Sequence, residues 1–311
     1  MVCTAISERF IMYIGRFAPT PSGDLHYGSL VTAIASFLDA KKFGGKWLLK
    51  IDDLDKQRVR KGSIESILKT LECLHLFWDS TETYQSHRLE AYEFYFKKLL
   101  ETRKTYHCNC SRKFLSENAK LGESGYIYPG FCRNKVLGNS TINACATRLI
   151  VDDLPIFIDD QIQGKLSQNL SKEIGDFVIK RNDQQFSYQF SVCIDNKLDK
   201  ITNIVRGADL LSSTPRQVYL LNLLNFDIPE FSHVPIANIG KKKISKSDDY
   251  KVSINGNQKA IWIKVLKFLN QPISKNTSEM KLDEIIKYAI KNWEISEVSS
   301  LNSIEISLKC S

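Results

Sequence analysis

The chain has 311 residues and a net charge of +8, with 43% hydrophobic and 25% charged residues. This composition is typical of a soluble globular protein large enough for two domains, and it excludes a disordered chain. No run approaches the roughly 18 apolar residues of a membrane span, and Glu8 and Arg9 stand where a signal peptide would be apolar. We therefore expect a cytoplasmic protein without a membrane partner, assign no function to residues 1–11, and take the positive charge to favour a polyanionic partner.

The first hundred residues predict a strand, a helix and a second strand. The apolar run MYIGRFA is followed by the helical pattern SLVTAIASFLDAKKF and then by the strand pattern KWLLKIDDLD. Two strands joined by one helix form a parallel, right-handed βαβ unit. Residues 1–100 are therefore predicted to be the first half of a nucleotide-binding α/β sheet, whose ligand lies at the carboxyl ends of the strands.

The loop between this strand and helix, GRFAPTPSGDLHYGSL, has the composition of a ligand-binding turn. Its prolines stiffen the backbone, Gly28 permits close approach of a ligand, and His26 lies near the helix N-terminus, where amide groups favour phosphate. Taken alone, the same composition also suits a loop that only turns the chain, with His26 as a helix cap.

A group of cysteines follows the first half. Eight cysteines in a chain without a secretion signal favour thiols or a metal site over disulfides. YHCNCSRKF supplies Cys108 and Cys110, and YIYPGFCRN supplies Tyr128 and Cys132. Zinc binds four ligands in a tetrahedron, and for the fourth position zinc chemistry alone favours His107 over Tyr128. A filled tetrahedron leaves no position for water, so this site would be structural.

The α/β pattern is interrupted and then resumes. Residues 101–183 combine the thiol cluster with short strands and are predicted to be an insertion, and residues 184–249 are predicted to form the second half of the sheet. Within this half, FSYQFSVCIDN alternates like a strand and ITNIVRGADLL ends another strand. SSTPRQVYLLNLL predicts a helix with Thr214 as N-cap and Pro215 as first helical residue. Residues 250–311 contain two further predicted helices, KAIWIKVLKFLNQ and KLDEIIKYAIKNW.

A lysine-rich loop, GKKKISKSDD, ends the second half. Lys243 and Lys246 stand beside small hydroxyl side chains, which suits a loop that closes over a triphosphate and stabilises the departing pyrophosphate. A lysine cluster by itself is more often a solvated surface or a nonspecific nucleic-acid patch.

Two of these motifs carry a family resemblance. LHYG at Leu25–Gly28 and KISKS at Lys243–Ser247 resemble the two signatures of class I aminoacyl-tRNA synthetases. The longer matches YIGRFAPTPSGDLHYGSL and IVRGADLL, with the thiol cluster, resemble the glutamyl-queuosine tRNA(Asp) synthetase family, which are shortened paralogues of glutamyl-tRNA synthetase. The resemblance extends from about Tyr13 to about Asp249. It implies an α/β fold with a Rossmann-like parallel sheet, a zinc-containing insertion that contacts nucleic acid, and a C-terminal helical segment at residues 250–311.

The resemblance also implies a role for individual residues. L-glutamate would bind at Arg16, Phe17, Ala18, Pro19, Thr20, Asp52, Tyr188 and Arg206. ATP, with Mg²⁺, would bind at His26, Gly28, Lys243 and Lys246. The catalytic residues would be His26 and Lys246. The resemblance favours Tyr128 over His107 as the fourth zinc ligand, so the ligands of a structural Zn²⁺ would be Cys108, Cys110, Tyr128 and Cys132.

One position departs from the family pattern. Asp52, in KIDDLD, stands where the family usually has glutamate. The charge is kept but the carboxylate is one methylene shorter, so that the contact with the substrate ammonium would change or pass to Asp53. A difference of this size is worth about 1 to 3 kcal/mol, which would alter specificity rather than the reaction.

The implied reaction uses no enzyme nucleophile. Glutamate would attack the α-phosphorus of ATP, pyrophosphate would leave, and the glutamyl group would pass to the cyclopentenediol of queuosine at the wobble position of tRNA(Asp), by positioning and charge stabilisation. The segment after Asp249 has no room for the large anticodon-binding domain of full glutamyl-tRNA synthetases, which favours this acceptor. The alternatives are a truncated synthetase that charges a tRNA 3′ end and a zinc-stabilised RNA-binding protein without catalysis. We expect a monomer.

Overall fold

A computed structural model describes residues 12–135, 144–239, 242–243 and 256–306, where helices and strands are interspersed. The helices are α1 (Tyr27–Lys42), α2 (Ser63–Cys73), α3 (Leu89–Glu101), α4 (Arg112–Asn118), α5 (Leu170–Glu173), α6 (Tyr188–Leu198), α7 (Thr214–Leu223), α8 (Gln258–Phe268) and α9 (Leu282–Asn292). Short 3₁₀ helices cover Gln85–Arg88, Ala208–Ser213 and Ile295–Glu297. The strands are β1 (Ile14–Phe17), β2 (Lys46–Ile51), β3 (Thr83–Tyr84), β4 (Thr105–Cys108), β5 (Leu121–Gly122), β6 (Gly125–Tyr126), β7 (Ala146–Leu149), β8 (Pro155–Asp160), β9 (Gly164–Asn169), β10 (Phe177–Lys180), β11 (Asn203–Gly207), β12 (Glu230–Val234), β13 (Ile236–Ile239), β14 (Lys242–Lys243) and β15 (Ser303–Glu305).

The first sheet has the order β1-β2-β3, with all neighbours parallel. Helix α1 connects β1 to β2 and packs on this sheet because its apolar side chains recur at helical spacing, so that Leu30, Ile34 and Leu38 are completely buried. The helix ends before Gly44, whose φ of 63° lies in the left-handed region that glycine adopts easily. The predicted βαβ unit is confirmed.

The second sheet lies beside the first. Its order is β11-β12-β8-β9, with β11 parallel to β12. The amide of Thr202, just before β11, donates to the carbonyl of Ile14 in β1 over 3.0 Å. The carboxyl ends of β1, β2, β11 and β12 therefore point to the same side of the molecule, where a ligand cleft is expected in a fold of this kind. The predicted class, an α/β fold with a parallel sheet, is confirmed.

The segment 101–183 contributes to two sheets. Its strands β4 and β7 join β10 in an antiparallel sheet next to the thiol cluster. Its hairpin β8–β9 instead extends the second sheet, where Asp160 of β8 pairs with Phe231 of β12. This segment therefore contacts the second half of the α/β fold through backbone pairing.

Two local predictions in the second half are wrong. The segment FSYQFSVCIDN does not form a strand, because residues from Tyr188 onward belong to α6. This helix is buried on most sides, from Phe190 to Asn196, so its sequence lacks the polar face that would have indicated a helix. At α7 the N-cap is Ser213 rather than Thr214, and Pro215 is the second helical residue.

The predicted C-terminal helices are present as α8 and α9, which pack against α1. Trp262 of α8 donates its indole N–H to the carbonyl of Leu74 over 3.0 Å, and Trp293 donates to Asp39 of α1 over 2.8 Å. Both indoles are buried. Among the described helices none is both long and apolar enough to cross a membrane.

Candidate active site

A cleft of about 490 Å³ opens where the two parallel sheets meet. It lies at the carboxyl ends of β1, β2, β11 and β12, because residues that end or follow each of these strands line it. The structure brings ten of the predicted site residues to this cleft, namely Arg16, Phe17, Ala18, Pro19, Thr20, His26, Gly28, Asp52, Tyr188 and Arg206. Residues far apart in the sequence thus share one cavity.

The proline-containing loop after β1 is held at the cleft by backbone hydrogen bonds. The amide of Asp52 donates to the carbonyl of Pro19 over 3.0 Å, and the amide of Arg60 donates to that of Pro21 over 2.9 Å. These bonds tie the loop to the segment that follows β2. The loop is therefore held in one conformation, and it connects the carboxyl ends of β1 and β2.

His26 combines the two roles that its sequence position suggests. It is the N-cap of α1, and its Nδ1 accepts a hydrogen bond from the amide of Ser29 over 3.3 Å. A neutral ring consequently carries its proton on Nε2, and the same side chain lines the cleft. A Cβ at position 28 would lie 3.3 Å from the His26 ring, so glycine at this position leaves room for the imidazole. The ring and the first amides of α1 form a site suited to phosphate.

Two buried guanidinium groups give the cleft its positive charge. Arg16 and Arg206 are 5% and 3% exposed, and among the described residues neither forms an ion pair within 4 Å. Arg16 donates from Nε to Oδ1 of Asn196 over 3.4 Å. Burial lowers the pKa of Arg16 because the charged form has lost its hydration. Such groups favour an anionic ligand, since carboxylates are their preferred partners.

Arg206 is oriented by neutral partners. Its Nε donates to Nε2 of His233 over 2.9 Å, and its Nη2 donates to the hydroxyl of Thr214 over 2.8 Å. Its third nitrogen, Nη1, is buried and has no hydrogen-bond partner in the described part of the chain. A buried donor without a partner is costly, so a ligand acceptor would stabilise the site.

Asp52 is an acidic residue of the same cleft and follows β2. Its side chain is 9% exposed, and burial raises its pKa to about 6. The nearest cation is Lys50, whose Nζ lies 3.6 Å from Oδ1, too far for a strong hydrogen bond. Within the described residues Oδ1 has no hydrogen-bond partner. The shorter carboxylate of Asp52 therefore presents an unsatisfied, buried acceptor.

A buried polar network beneath Asp52 was not predicted. Asp195 of α6 is completely buried and accepts hydrogen bonds from Lys50 over 2.9 Å, Gln85 over 2.7 Å and Tyr92 over 2.7 Å. Arg88 adds an ion pair with Asp195 over 3.1 Å. The sequence signal was a charged residue inside an apolar segment, which the wrong strand interpretation concealed.

The two predicted lysines lie at the boundary of the described chain. Lys243 belongs to β14, which pairs antiparallel with β13 through Asn238. Lys246 and the rest of the KISKS loop lie outside the described residues. Their contact with ATP therefore stays a prediction.

The thiol cluster is a separate site within the segment 101–183. The three Sγ atoms of Cys108, Cys110 and Cys132 lie within 4.8 Å of one another. The hydroxyl of Tyr128 is 3.2 Å from Sγ of Cys108 and 3.5 Å from Sγ of Cys110. His107, the other candidate, has its Nδ1 3.5 Å from the hydroxyl of Thr147. A tetrahedral metal with bonds of about 2.3 Å would hold its ligand atoms roughly 3.8 Å apart, and the sulfur atoms of Cys110 and Cys132, 3.5 Å apart, come close to this separation.

Two features of the surroundings affect how the cluster would bind a cation. Burial raises the pKa of Cys110 to about 11, so a metal ion would have to displace the proton of this thiol at neutral pH. The guanidinium of Arg148 lies 3.7 Å from the centre of the Tyr128 ring. This cation would offset part of the negative charge that three thiolates and a phenolate bring to a divalent metal. The cluster can hold a metal ion.

Comparison with known proteins agrees with the geometry. The model of the family "tRNA synthetases class I (E and Q), catalytic domain" matches residues 14–306. A glutamyl-Q tRNA(Asp) synthetase from Pseudomonas syringae pv. syringae is 42% identical over 293 residues, covering 94% of this chain and 96% of the relative. One from Thiobacillus denitrificans is 40% identical over 286 residues, covering 92% and 94%.

A solved structure gives the same result at the level of the fold. A glutamate-tRNA synthetase from Elizabethkingia anophelis superimposes with a TM-score of 0.78 at 27% identity, over 96% of this chain and 69% of that chain. The resemblance inferred from the motifs is thus confirmed. The chain belongs to the class I tRNA synthetases for glutamate and glutamine and, within them, to the glutamyl-Q tRNA(Asp) synthetase family.

Proposed function

We propose that this protein activates L-glutamate with ATP and transfers the glutamyl group to the queuosine cyclopentenediol in tRNA(Asp). The observation that carries the proposal is the pair of unsatisfied, buried groups in one cleft, Oδ1 of Asp52 and Nη1 of Arg206. An amino acid satisfies both, because its ammonium binds a carboxylate and its carboxylate binds a guanidinium. Arg16 provides a second cation, as a substrate with two carboxylates requires. The names of the relatives support glutamate and queuosine.

The first step joins the substrate to the nucleotide. A carboxylate oxygen of glutamate bonds to the α-phosphorus of ATP, and the bond between that phosphorus and the bridging oxygen of pyrophosphate breaks. His26, with its proton on Nε2, and the first amides of α1 would hold the phosphate charge as it develops. Mg²⁺ bound with ATP would neutralise part of the same charge. Lys243 and Lys246 would close over the departing pyrophosphate.

The second step transfers the glutamyl group. A hydroxyl oxygen of the acceptor bonds to the activated carbonyl carbon, its proton is lost, and AMP leaves. The net charge of +8 supports a nucleic-acid acceptor. We infer that the protein acts in the cytoplasm, where ATP and tRNA are present, and as a monomer.

Transfer of radiolabelled glutamate to tRNA(Asp) with and without queuosine tests this function. Labelling is expected only of the queuosine-containing tRNA, and the label should remain after the 3′-terminal adenosine has been removed. Equal labelling of both tRNAs would overturn the proposed acceptor. Label that depends on the 3′ adenosine would instead identify a truncated synthetase that charges a 3′ end.

Pyrophosphate exchange separates catalysis from simple RNA binding. With glutamate and no tRNA, the protein is expected to exchange label between pyrophosphate and ATP. An RNA-binding protein without catalysis would give no exchange in any combination of amino acid and tRNA, and that result would exclude the adenylation step.

We further propose that the thiol cluster holds a structural Zn²⁺ through Cys108, Cys110, Tyr128 and Cys132. Four protein ligands fill the tetrahedron, so the metal would organise the segment 101–183 and take no part in adenylation. The short distances among the three sulfur atoms and the Tyr128 hydroxyl support this assignment, as does the position of Arg148 over the Tyr128 ring.

Replacing Tyr128 with phenylalanine is expected to weaken zinc binding by at least about 100-fold. Loss of a supporting residue around a ligand already costs about 10- to 100-fold, and here a ligand itself is lost. Competition with a chromophoric chelator measures the affinity. His107→Asn is the matched control and should bind zinc like the unchanged protein. The reverse pattern, with tight binding in Tyr128→Phe and weak binding in His107→Asn, would reassign the fourth ligand.

A further inference from the structure

The side chain of Arg206 is held by a chain of two further residues. His233 and Asp160 are 0% and 2% exposed and lie behind Arg206, away from the unsatisfied Nη1. Nε of Arg206 donates to Nε2 of His233 over 2.9 Å, and Nδ1 of His233 lies 2.5 Å from Oδ2 of Asp160. The three residues come from β11, β12 and β8.

The tautomer of His233 follows from these contacts. A guanidinium has only donors, so Nε2 of His233 must accept and cannot carry a proton. The ring proton therefore sits on Nδ1, where it is donated to Asp160. Burial lowers the pKa of His233, which keeps the ring neutral at physiological pH. The charged groups that face the ring are Asp160, Arg206 and Asp209, and Phe231 stacks on it at 6.2 Å between ring centres.

Asp160 is itself fixed in one orientation. Its Oδ1 accepts three backbone hydrogen bonds, from the amides of Ile162 over 3.0 Å, Gln163 over 2.8 Å and His233 over 3.1 Å. Its Oδ2 is thereby left to face His233. This arrangement lowers the pKa of Asp160 even though burial alone would raise it. Asp160 is thus a rigid acceptor that selects the tautomer of its neighbour.

A neutral acceptor next to Arg206 has a direct electrostatic effect. A carboxylate in the position of His233 would neutralise the guanidinium and compete with a substrate carboxylate for it. The imidazole satisfies Nε without adding a charge, and the negative charge of Asp160 lies on the far side of the ring. The positive charge of Arg206 is therefore not neutralised on the side that faces the cleft.

We propose that Asp160 and His233 are positioning residues for substrate binding, which hold Arg206 in its binding orientation by fixing the histidine tautomer. The inference rests on the proposed function, in which Arg206 binds a carboxylate of glutamate. It assigns a role in the amino-acid site to a residue of the segment 101–183, although that segment carries the thiol cluster.

Asp160→Asn tests the tautomer directly. The three backbone amides require an oxygen at the Oδ1 position, so the new NH₂ group faces Nδ1 of His233. The ring must then accept at Nδ1 and carry its proton on Nε2, where it opposes the N–H of Arg206. We expect the KM for glutamate in pyrophosphate exchange to rise about 10- to 100-fold, the effect of one broken buried hydrogen bond. The KM for ATP and the kcat should change by less than about threefold.

Three further variants complete the experiment. Asp159→Asn removes the same charge from the exposed neighbouring position and should leave both KM values unchanged. His233→Phe keeps an aromatic ring but offers no acceptor, so its KM for glutamate should rise as in Asp160→Asn. His233→Gln offers an acceptor to Arg206 and a donor to Asp160, so it should retain most of the glutamate affinity.

The outcomes separate the two proposals. Absence of glutamate-dependent exchange in the unchanged protein would refute the proposed function. Exchange in the unchanged protein with an unaltered KM for glutamate in Asp160→Asn would refute the positioning role alone. Equal increases in the KM for glutamate and for ATP would also refute it, because they would indicate general damage to the fold.

Discussion

Replacement of Asp52 with asparagine is expected to lower kcat/KM for glutamate by roughly a hundredfold or more and at the same time to stabilise the protein. The ionised carboxylate is buried, and its Oδ1 has no hydrogen-bond partner among the described residues. Removing its charge deprives the substrate ammonium of a buried partner, which costs about 3 to 5 kcal/mol, or roughly a hundredfold or more in kcat/KM. Pyrophosphate exchange with glutamate measures this loss.

The stability gain follows from the pKa. The pKa of Asp52 rises on folding from an ordinary value of 3.8 to about 6, so the folded state holds this proton more tightly than the unfolded state. Stability is therefore lost as the pH rises from below 3.8 through about 6, and the full loss, of the order of 3 kcal/mol, is present at neutral pH. Asparagine has no charge to bury. Lys50 keeps its bond to Asp195 at 2.9 Å. Thermal unfolding at pH 7 should show a higher Tm.

The same pKa predicts an acid limb in the activity profile. In the unchanged protein, kcat/KM for glutamate should fall as the pH falls through about 6, because Asp52 becomes neutral. The carboxylates of glutamate titrate at lower pH and do not account for that limb. Asp52→Glu retains the charge and should retain activation. A decrease in Tm of Asp52→Asn together with full activity would contradict both parts of the argument.

Replacement of Arg206 is expected to have an effect of similar size on activation. Arg206→Met removes the buried guanidinium whose Nη1 we propose to bind a substrate carboxylate. We expect kcat/KM for glutamate to fall by roughly a hundredfold or more. Arg206→Lys should recover little of the lost activity. The planar guanidinium contacts His233, Thr214 and the substrate at the same time through three nitrogens, whereas lysine has a single nitrogen.

An exposed arginine in the same region provides the control for Arg206. Arg60 follows β2, and its side chain is exposed. Arg60→Met should leave glutamate-dependent exchange in the absence of tRNA unchanged. If Arg206→Met had no more effect than Arg60→Met, the guanidinium would not bind the amino acid.

Local patterns in the sequence predicted the parts of the fold that depend on neighbouring residues. The βαβ unit from Ile14 to Ile51 was predicted because strand, helix and strand follow one another with clear periodicity. Helix α6 was missed because it is buried from Phe190 to Asn196, so that a strand-like alternation replaced the helical polar face. Helix α7 was predicted with its N-cap one residue late, and assigned helix ends commonly differ by about one or two residues.

Some residues of the candidate site could likewise be predicted from local motifs, and others could not. Residues of the first loop and the strand ends, such as Arg16 and Asp52, could be predicted because motifs mark them. His233, Asp160 and Asp195 could not, since each acquires its partner through tertiary contacts between distant strands and helices. Asp160 and His233, for example, are separated by 73 positions in the chain. No spacing rule in a single sequence links two such residues.

The pairing of the hairpin β8–β9 with β12 affects how this enzyme can be engineered. A chimera that exchanged the whole of residues 101–183 would replace Asp160 together with the thiol cluster and would leave His233 facing a foreign strand. Ending the exchanged unit before Pro155 would keep the hairpin with the host, but it would separate β7 from β10, with which it pairs, and Arg133 from Asp176, with which it forms an ion pair. A workable chimera must therefore exchange residues 101–154 together with residues 175–180 and leave the hairpin β8–β9 in place.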